Sequence, residues 1–212
     1  MFIIVIKLDR FHKVTPLYIL VIYDNMIIME KKKITRRLII DTAHTLIQET
    51  QKSEISLSKI ATSLHITHAA IYKHFENKKD LWIAVCADWF ETYIINHIDI
   101  NDDDYEDKQQ WLHDYLWAFV NAKKAAYQTN RLMFDLNTRY VEKDPFILQE
   151  ILKPCFIRIQ QKMGYDDSNL YKPEVILSAF STFTLPMFKD TWNQPDYDLR
   201  FEMTWDLIKF NV

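Results

Sequence analysis

Glycine is almost absent from this chain: Gly164 is the only one in 212 residues. Tight β-turns, phosphate-cradling loops and the dinucleotide fingerprint all draw on glycine's tolerance of positive φ or of close backbone approach. Neither a GxGxxG motif nor a P-loop can be assembled from one glycine, which excludes the nucleotide-binding α/β folds and disfavours sandwiches and barrels. Cysteine is nearly as scarce. Cys86 and Cys155 are too few for a disulfide framework, and both fall in apolar helical patterns, as buried reduced thiols of a cytosolic protein would. Long apolar runs are missing too. The longest, residues 17–23, is well short of the ~20 residues that a membrane-crossing helix needs, and no basic segment precedes an apolar one with a small-residue cleavage site. Catalytic signatures are also lacking. There is no HExxH and no nucleophile elbow, and a helix or its end would splay apart the neighbours His113 and Asp114, or His97 and Asp99. No catalytic residue, cofactor or resident metal is expected.

What is present points to helices. Apolar residues make up 49% of the chain and aromatics 14%, enough for a real core. Stretches rich in Leu, Ile, Lys, Glu and Gln supply strong helix formers, so the fold class expected is all-α. The charge is uneven. Residues 31–80 carry ten Lys/Arg against five Asp/Glu, whereas residues 81–212 carry thirteen against twenty-one. A short basic module joined to an acidic body follows, and because salt screens over ~10 Å, a polyanion would feel the module rather than the net charge of -3.

The first residues, 1–28, are apolar but interrupted by Lys7, Asp9, Arg10, Lys13, Asp24 and Asn25. Their β-branched and aromatic content suits short strands. This extension reads as a product of gene-start choice, with translation beginning at Met29 or Met26. A membrane or partner-binding arm is the alternative.

From residue 32 the pattern is helical. Ile34, Leu38, Ile39, Ala43, Leu46 and Ile47 recur at three- and four-residue steps up to about residue 51. Cations crowd the start of this helix, the wrong end for its dipole, so another partner must offset them. Ser56 caps a short second helix over residues 57–64. A break at His65-Ile66-Thr67 follows, and Thr67 caps a third helix from His68 to about Phe75. Asn77 caps a long fourth helix with Asp80 in its first turn. The acidic run 102–107 reads as solvated charge, and further helices are expected at 106–128, 130–140, 145–163, 168–189 and 197–210.

Two short helices joined by a tight turn, the second opening after Thr67, form a helix-turn-helix. Ile60, Ala61, Leu64, Ile66 and Ile71 would fix the angle between them. His68, Ala69, Lys73 and His74 would face outward, small or polar enough for a DNA major groove. The three histidines His65, His68 and His74 lack the spacing and cysteine support of a zinc site.

The stretch "SLSKIATSLHITHAAIYKHFENKKDLW", Ser56 to Trp82, resembles the TetR family of bacterial transcriptional regulators. The resemblance is carried by Ile60-Ala61, the hydrophobic-Thr turn Ile66-Thr67, the Tyr72-x-x-Phe75 ending, and Lys78 with Leu81 opening the next helix. It covers about residues 32–82. It implies a helix-turn-helix domain over 29–77 and a helical ligand-binding and dimerisation domain over 78–212. Thr67, Tyr72 and Lys78 would meet phosphates; His68, Ala69, Ala70 and Lys73 would read bases; Ser56 and His74 would complete the face. The family usually has glycine where this chain has His65, a position that favours positive φ.

The resemblance further implies a ligand-responsive repressor that binds palindromic double-stranded DNA as a homodimer, cytoplasmic and without a membrane partner. A constitutive DNA-binding accessory protein and a membrane-tethered regulator are the alternatives. The body's aromatics suit a small apolar or aromatic effector, with Trp89, Tyr93, Trp111, Tyr115, Phe119 and Phe134 the candidate wall. The last two helices suit a dimer interface. Val175, Ile176, Ala179, Phe180, Phe183 and Met187 form one stripe, and Phe201, Trp205 and Ile208, with Leu199, another.

Overall fold

A computed structural model describes residues 3–4, 18–23, 26–31, 33–166 and 169–212. They divide into two compact units, residues 1–85 and 86–212. The division falls inside the fourth helix rather than at its start.

In the first unit, the N-terminal segment forms an antiparallel meander: β1 (Ile3–Ile4), β2 (Tyr18–Tyr23) and β3 (Met26–Lys31), in that spatial order. The β2/β3 register pairs Tyr18 with Lys31 and Tyr23 with Met26. The all-α expectation therefore holds from residue 36 onward, while the β-branched N-terminal segment makes strands. The rest of residues 1–32, and with it most of the segment expected to precede the translation start, lies outside the described residues. A start at Met29 would remove β1, β2 and half of β3.

The helical part of this unit is α1 (Arg36–Thr50), α2 (Leu57–Ser63), α3 (His68–Ile71) and the first half of α4 (Lys78–Tyr93). Each start is fixed by a side chain taking a free backbone N–H. Thr35 Oγ1 accepts from Leu38 N at 3.1 Å, Ser56 Oγ from Lys59 N at 3.2 Å, Thr67 Oγ1 from Ala70 N at 3.3 Å, and Asn77 Oδ1 from Asp80 N at 2.9 Å. The core between the helices is Ile39, Ala43, Ile47, Ile60, Ala61, Leu64, Ile71 and Phe75, all buried, with Ile66 half-buried.

The second unit holds the rest of α4, then α5 (Lys108–Thr129), α6 (Arg131–Asn137), a π-helical turn (Thr138–Glu142), α7 (Pro145–Met163), α8 (Tyr171–Ala179), α9 (Ser181–Thr184) and α10 (Tyr197–Ile208). The single helix expected over 168–189 is broken twice. It stops at Phe180, and it turns to 3-10 geometry at Pro186, whose ring nitrogen has no N–H to donate. Aromatic packing ties the last helices into the core: Phe180 lies 4.9 Å from Phe201, and Phe183 lies 5.3 Å from Tyr197. The acidic run is only partly solvated. Asp102 accepts from Trp111 Nε1 at 2.9 Å and from Arg158 Nη2 at 2.7 Å, and Asp107 caps α5. Among the described residues no helix is long and apolar enough to cross a membrane.

Candidate nucleic-acid interface and ligand cavity

The turn between α2 and α3 is a Schellman closure. His65 N donates to Thr62 O at 3.1 Å and Ile66 N to Ala61 O at 3.0 Å, which forces His65 into the left-handed region at φ 53°. Glycine would enter that region without strain; histidine accepts it at some cost. The turn sets α3 so that Thr67, His68, Ala69, Tyr72 and Lys73 are exposed, with Ala70 and His74 half-buried. The His68 and Tyr72 rings pack edge to face at 5.2 Å.

α3 is shorter than expected. Beyond Ile71 the chain tightens, with His74 N donating to Ile71 O at 2.9 Å, and Phe75 is drawn inward to 2% exposure. Arg36 locks this end. Its guanidinium lies 4.1 Å over the Phe75 ring, donates to His74 O at 2.7 Å, and pairs with Asp80 at 3.1 Å. The partner that offsets a cation at the start of α1 is thus within the chain, and Arg37 likewise meets Asp41 at 2.8 Å. Burial opposes ionisation of Asp80, but the bonds from Arg36 and from Glu76 N outweigh it and hold the carboxyl below its ordinary range. Lys78, at the start of α4, is half-exposed and ion-paired with Glu54. An open groove runs between Arg36, Tyr72, Lys73, Asn77 and Lys79. All nine residues expected at the DNA face lie in one unit, and the capping roles of Ser56 and Thr67 are realised. Among the described residues no group of His, Cys, Asp and Glu is arranged to hold a metal ion. His113 and Asp114, expected to be splayed apart, instead meet at 2.7 Å, because the imidazole folds back over its neighbour with its other nitrogen 3.2 Å from Glu202.

The second unit contains a cavity of about 230 Å³. Its apolar wall comes from Phe90, Phe119, Leu148, Leu152, Phe156 and Leu177, and its polar wall from Lys123, Glu142, Gln149, Glu174 and the hydroxyls of Ser178, Ser181 and Thr184. Lys123 and Glu142 form an ion pair whose two side chains are each 2% exposed. The π turn carries Glu142 to this place, and the Thr138 hydroxyl lies 3.2 Å from its second oxygen. Lys123 Nζ also lies 5.3 and 5.2 Å from the Phe90 and Phe134 ring centroids.

Of the residues expected to line an effector site, Phe119 lines this cavity. Trp111 and Tyr115 stack on each other at 4.9 Å in the core, Trp89 is fully buried, and Phe134 backs the buried lysine. Tyr93 is exposed at the surface. Sequence reasoning missed Lys123 and Glu142. The signal was a lysine on the apolar stripe of α5, in step with Leu116, Phe119 and Val120.

The residues expected at a dimer interface divide in the same way. Ile176, Phe180, Phe183, Phe201 and Trp205 turn into the chain's own core, Ile208 is half-buried and Ala179 is exposed. The apolar surface lies on the opposite faces: Val175 and Ala179 on α8, and Leu199, Met203 and Leu207 on α10 at four-residue spacing.

The family described as bacterial regulatory proteins, tetR family, matches residues 39–85. An HTH-type transcriptional regulator of Staphylococcus aureus (strain USA300) is 30% identical over 158 residues, 71% of this chain and 80% of that protein. One from strain MRSA252 is 34% identical over the same shares. Among solved structures, BioQ with its natural double-stranded DNA operator superposes with a TM-score of 0.54 at 13% identity, over 84% of this chain and 100% of that one. A TetR variant from Acinetobacter baumannii AYE in complex with minocycline gives 0.50 at 18% identity, over 84% and 96%. At such identities the two structures show a common fold.

Proposed function

The chain belongs to the tetR family of bacterial regulatory proteins, DNA-binding transcriptional regulators rather than enzymes, and from this premise we propose a cytoplasmic, ligand-responsive repressor that binds a palindromic operator as a homodimer. The observation that carries the DNA reading is a recognition helix capped by Thr67 with His68, Ala69, Tyr72 and Lys73 all exposed. Ala69 leaves room for a thymine methyl, and His68 and Lys73 can meet base edges. Thr67, Tyr72 and Lys78 fix the register on phosphates, with Ser56 and His74 beside them and Ala70 on the base-reading side.

The dimer reading is supported by the exposed apolar stripe of Val175, Ala179, Leu199, Met203 and Leu207. Two such helices from each protomer would make a four-helix bundle and present two recognition helices to successive major grooves. The effector reading is supported by the cavity, which also favours it over a constitutive accessory protein. A ligand that prefers the conformation with unfavourable head spacing weakens DNA binding by as much as its preference.

The test is the double variant Met203→Lys/Leu207→Lys. We expect a monomer by analytical ultracentrifugation at micromolar protein, with operator affinity down at least 100-fold and the melting temperature little changed. A variant that stays dimeric sinks this interface.

A further inference from the structure

The charges around the cavity define what it can hold. The wall carries one ammonium, Lys123, and two carboxylates, Glu142 and Glu174, so it has one more negative charge than positive. Lys123 is already committed. It is ion-paired with Glu142, both side chains are 2% exposed, and its Nζ also lies over the faces of Phe90 and Phe134. An anionic ligand would have to take Lys123 from Glu142 and strand a buried carboxylate, which is strongly unfavourable. Glu174 is differently placed. It lies in the first turn of α8, half-buried, and both of its oxygens accept from the amide of Gln149 at 3.0 Å. A neutral amide orients this carboxylate but does not neutralise it. A cation entering beside Glu174 displaces no ion pair, and the rings of Phe90, Phe119 and Phe156 offer an apolar body and cation–π faces.

We infer that the cavity takes a small organic cation with an apolar or aromatic body, its charge set against Glu174. This inference rests on the ligand-responsive reading above and names the chemistry of its ligand. At about 230 Å³ the site is smaller than the ~300–1,000 Å³ of drug-sized pockets, so the ligand is compact and singly charged. The Lys123–Glu142 pair is the fixed floor, and Glu174 is the selecting group.

Three probes of one shape class and different charge test this on the full chain by isothermal titration calorimetry: benzyltrimethylammonium, its carbon isostere neopentylbenzene, and 3-phenylpropionate. The expected result is that the cation binds at least 10-fold tighter than the isostere, and the anion weakest. Glu174→Gln should erase that cation advantage, and Ser181→Trp should block every probe that binds. The comparison of cation with isostere on the wild-type chain needs no variant, so misfolding of a mutant leaves the test intact. If the isostere or the anion binds as well as the cation and Ser181→Trp blocks it, the cavity remains a ligand site and the cation inference is overturned. If neither ion binds at millimolar concentration and the isostere does not bind up to its solubility limit, the effector reading falls with it.

Discussion

The unit that carries the helix-turn-helix and the helical unit after it use the same parts in opposite settings. Each has a lysine–glutamate pair. Lys78 and Glu54 meet with side chains 50% and 22% exposed, whereas Lys123 and Glu142 meet with both at 2%. Each also has a helix that ends in a left-handed residue: α2 at His65, with φ 53°, and α7 at Gly164, with φ 75°. In water the first pair is worth at most ~1 kcal/mol, little enough for Lys78 to leave Glu54 for the phosphate proposed for it. Inside the protein the second cannot open without leaving a charge unpaired. Of these two pairs, the one in the first unit is replaceable and the one in the second is not.

The largest effect should come from breaking the buried pair. Glu142→Ala strands the Lys123 ammonium and should cost ~3–5 kcal/mol in urea denaturation, while Lys123→Met/Glu142→Leu should recover most of that loss. A cost no greater than that of Glu54→Ala would mean that burial does not separate the two pairs. The helix ends come next. Gly164→Ala imposes a side chain at positive φ and sets its Cβ 3.1 Å from Lys108 Nζ, so it should destabilise by ~1–2 kcal/mol. His65→Gly relieves the same strain and should stabilise by ~1 kcal/mol. Equal and small effects at both sites would erase that contrast. The smallest stability change belongs to the exposed pair, where Glu54→Gln should cost less than ~1 kcal/mol. Its effect appears in DNA binding instead. Lys78→Ala should weaken binding similarly on all sequences and lower the salt slope by about one, and Glu54→Gln, by freeing Lys78, should tighten binding. Fluorescence anisotropy across a salt series reads both, and an unchanged slope for Lys78→Ala removes the phosphate role.

The same contrast decides what could be read from the sequence. The helix starts at Ser56, Thr67 and Asn77 were legible because a cap is a bond between residues two or three apart, written in the local string. The strain at His65 was legible through the family resemblance, whose usual glycine stands where this chain has histidine. The cavity was not, because Lys123 and Glu142 stand nineteen positions apart and are joined only by the turn after α6. The orientation of the last helices was also hidden. α8 and α10 are apolar on both sides, so Ile176 and Phe201 could not be separated from Val175 and Leu199 by periodicity alone. Packing of Phe180, Phe183 and Trp117 against Phe201, and of His113 against Trp205, turns one side inward.

The scarcity of cysteine has a practical consequence. Both thiols are buried: desolvation pushes Cys155 up to about 11 and raises Cys86 further, so neither offers a thiolate to a reagent near neutral pH. A cysteine introduced on the exposed face of α3 or α10 would therefore be the only one to react with a maleimide. Labels could then be attached at chosen points of the wild-type background, and distances between the two copies of the proposed homodimer followed as probes and DNA are added.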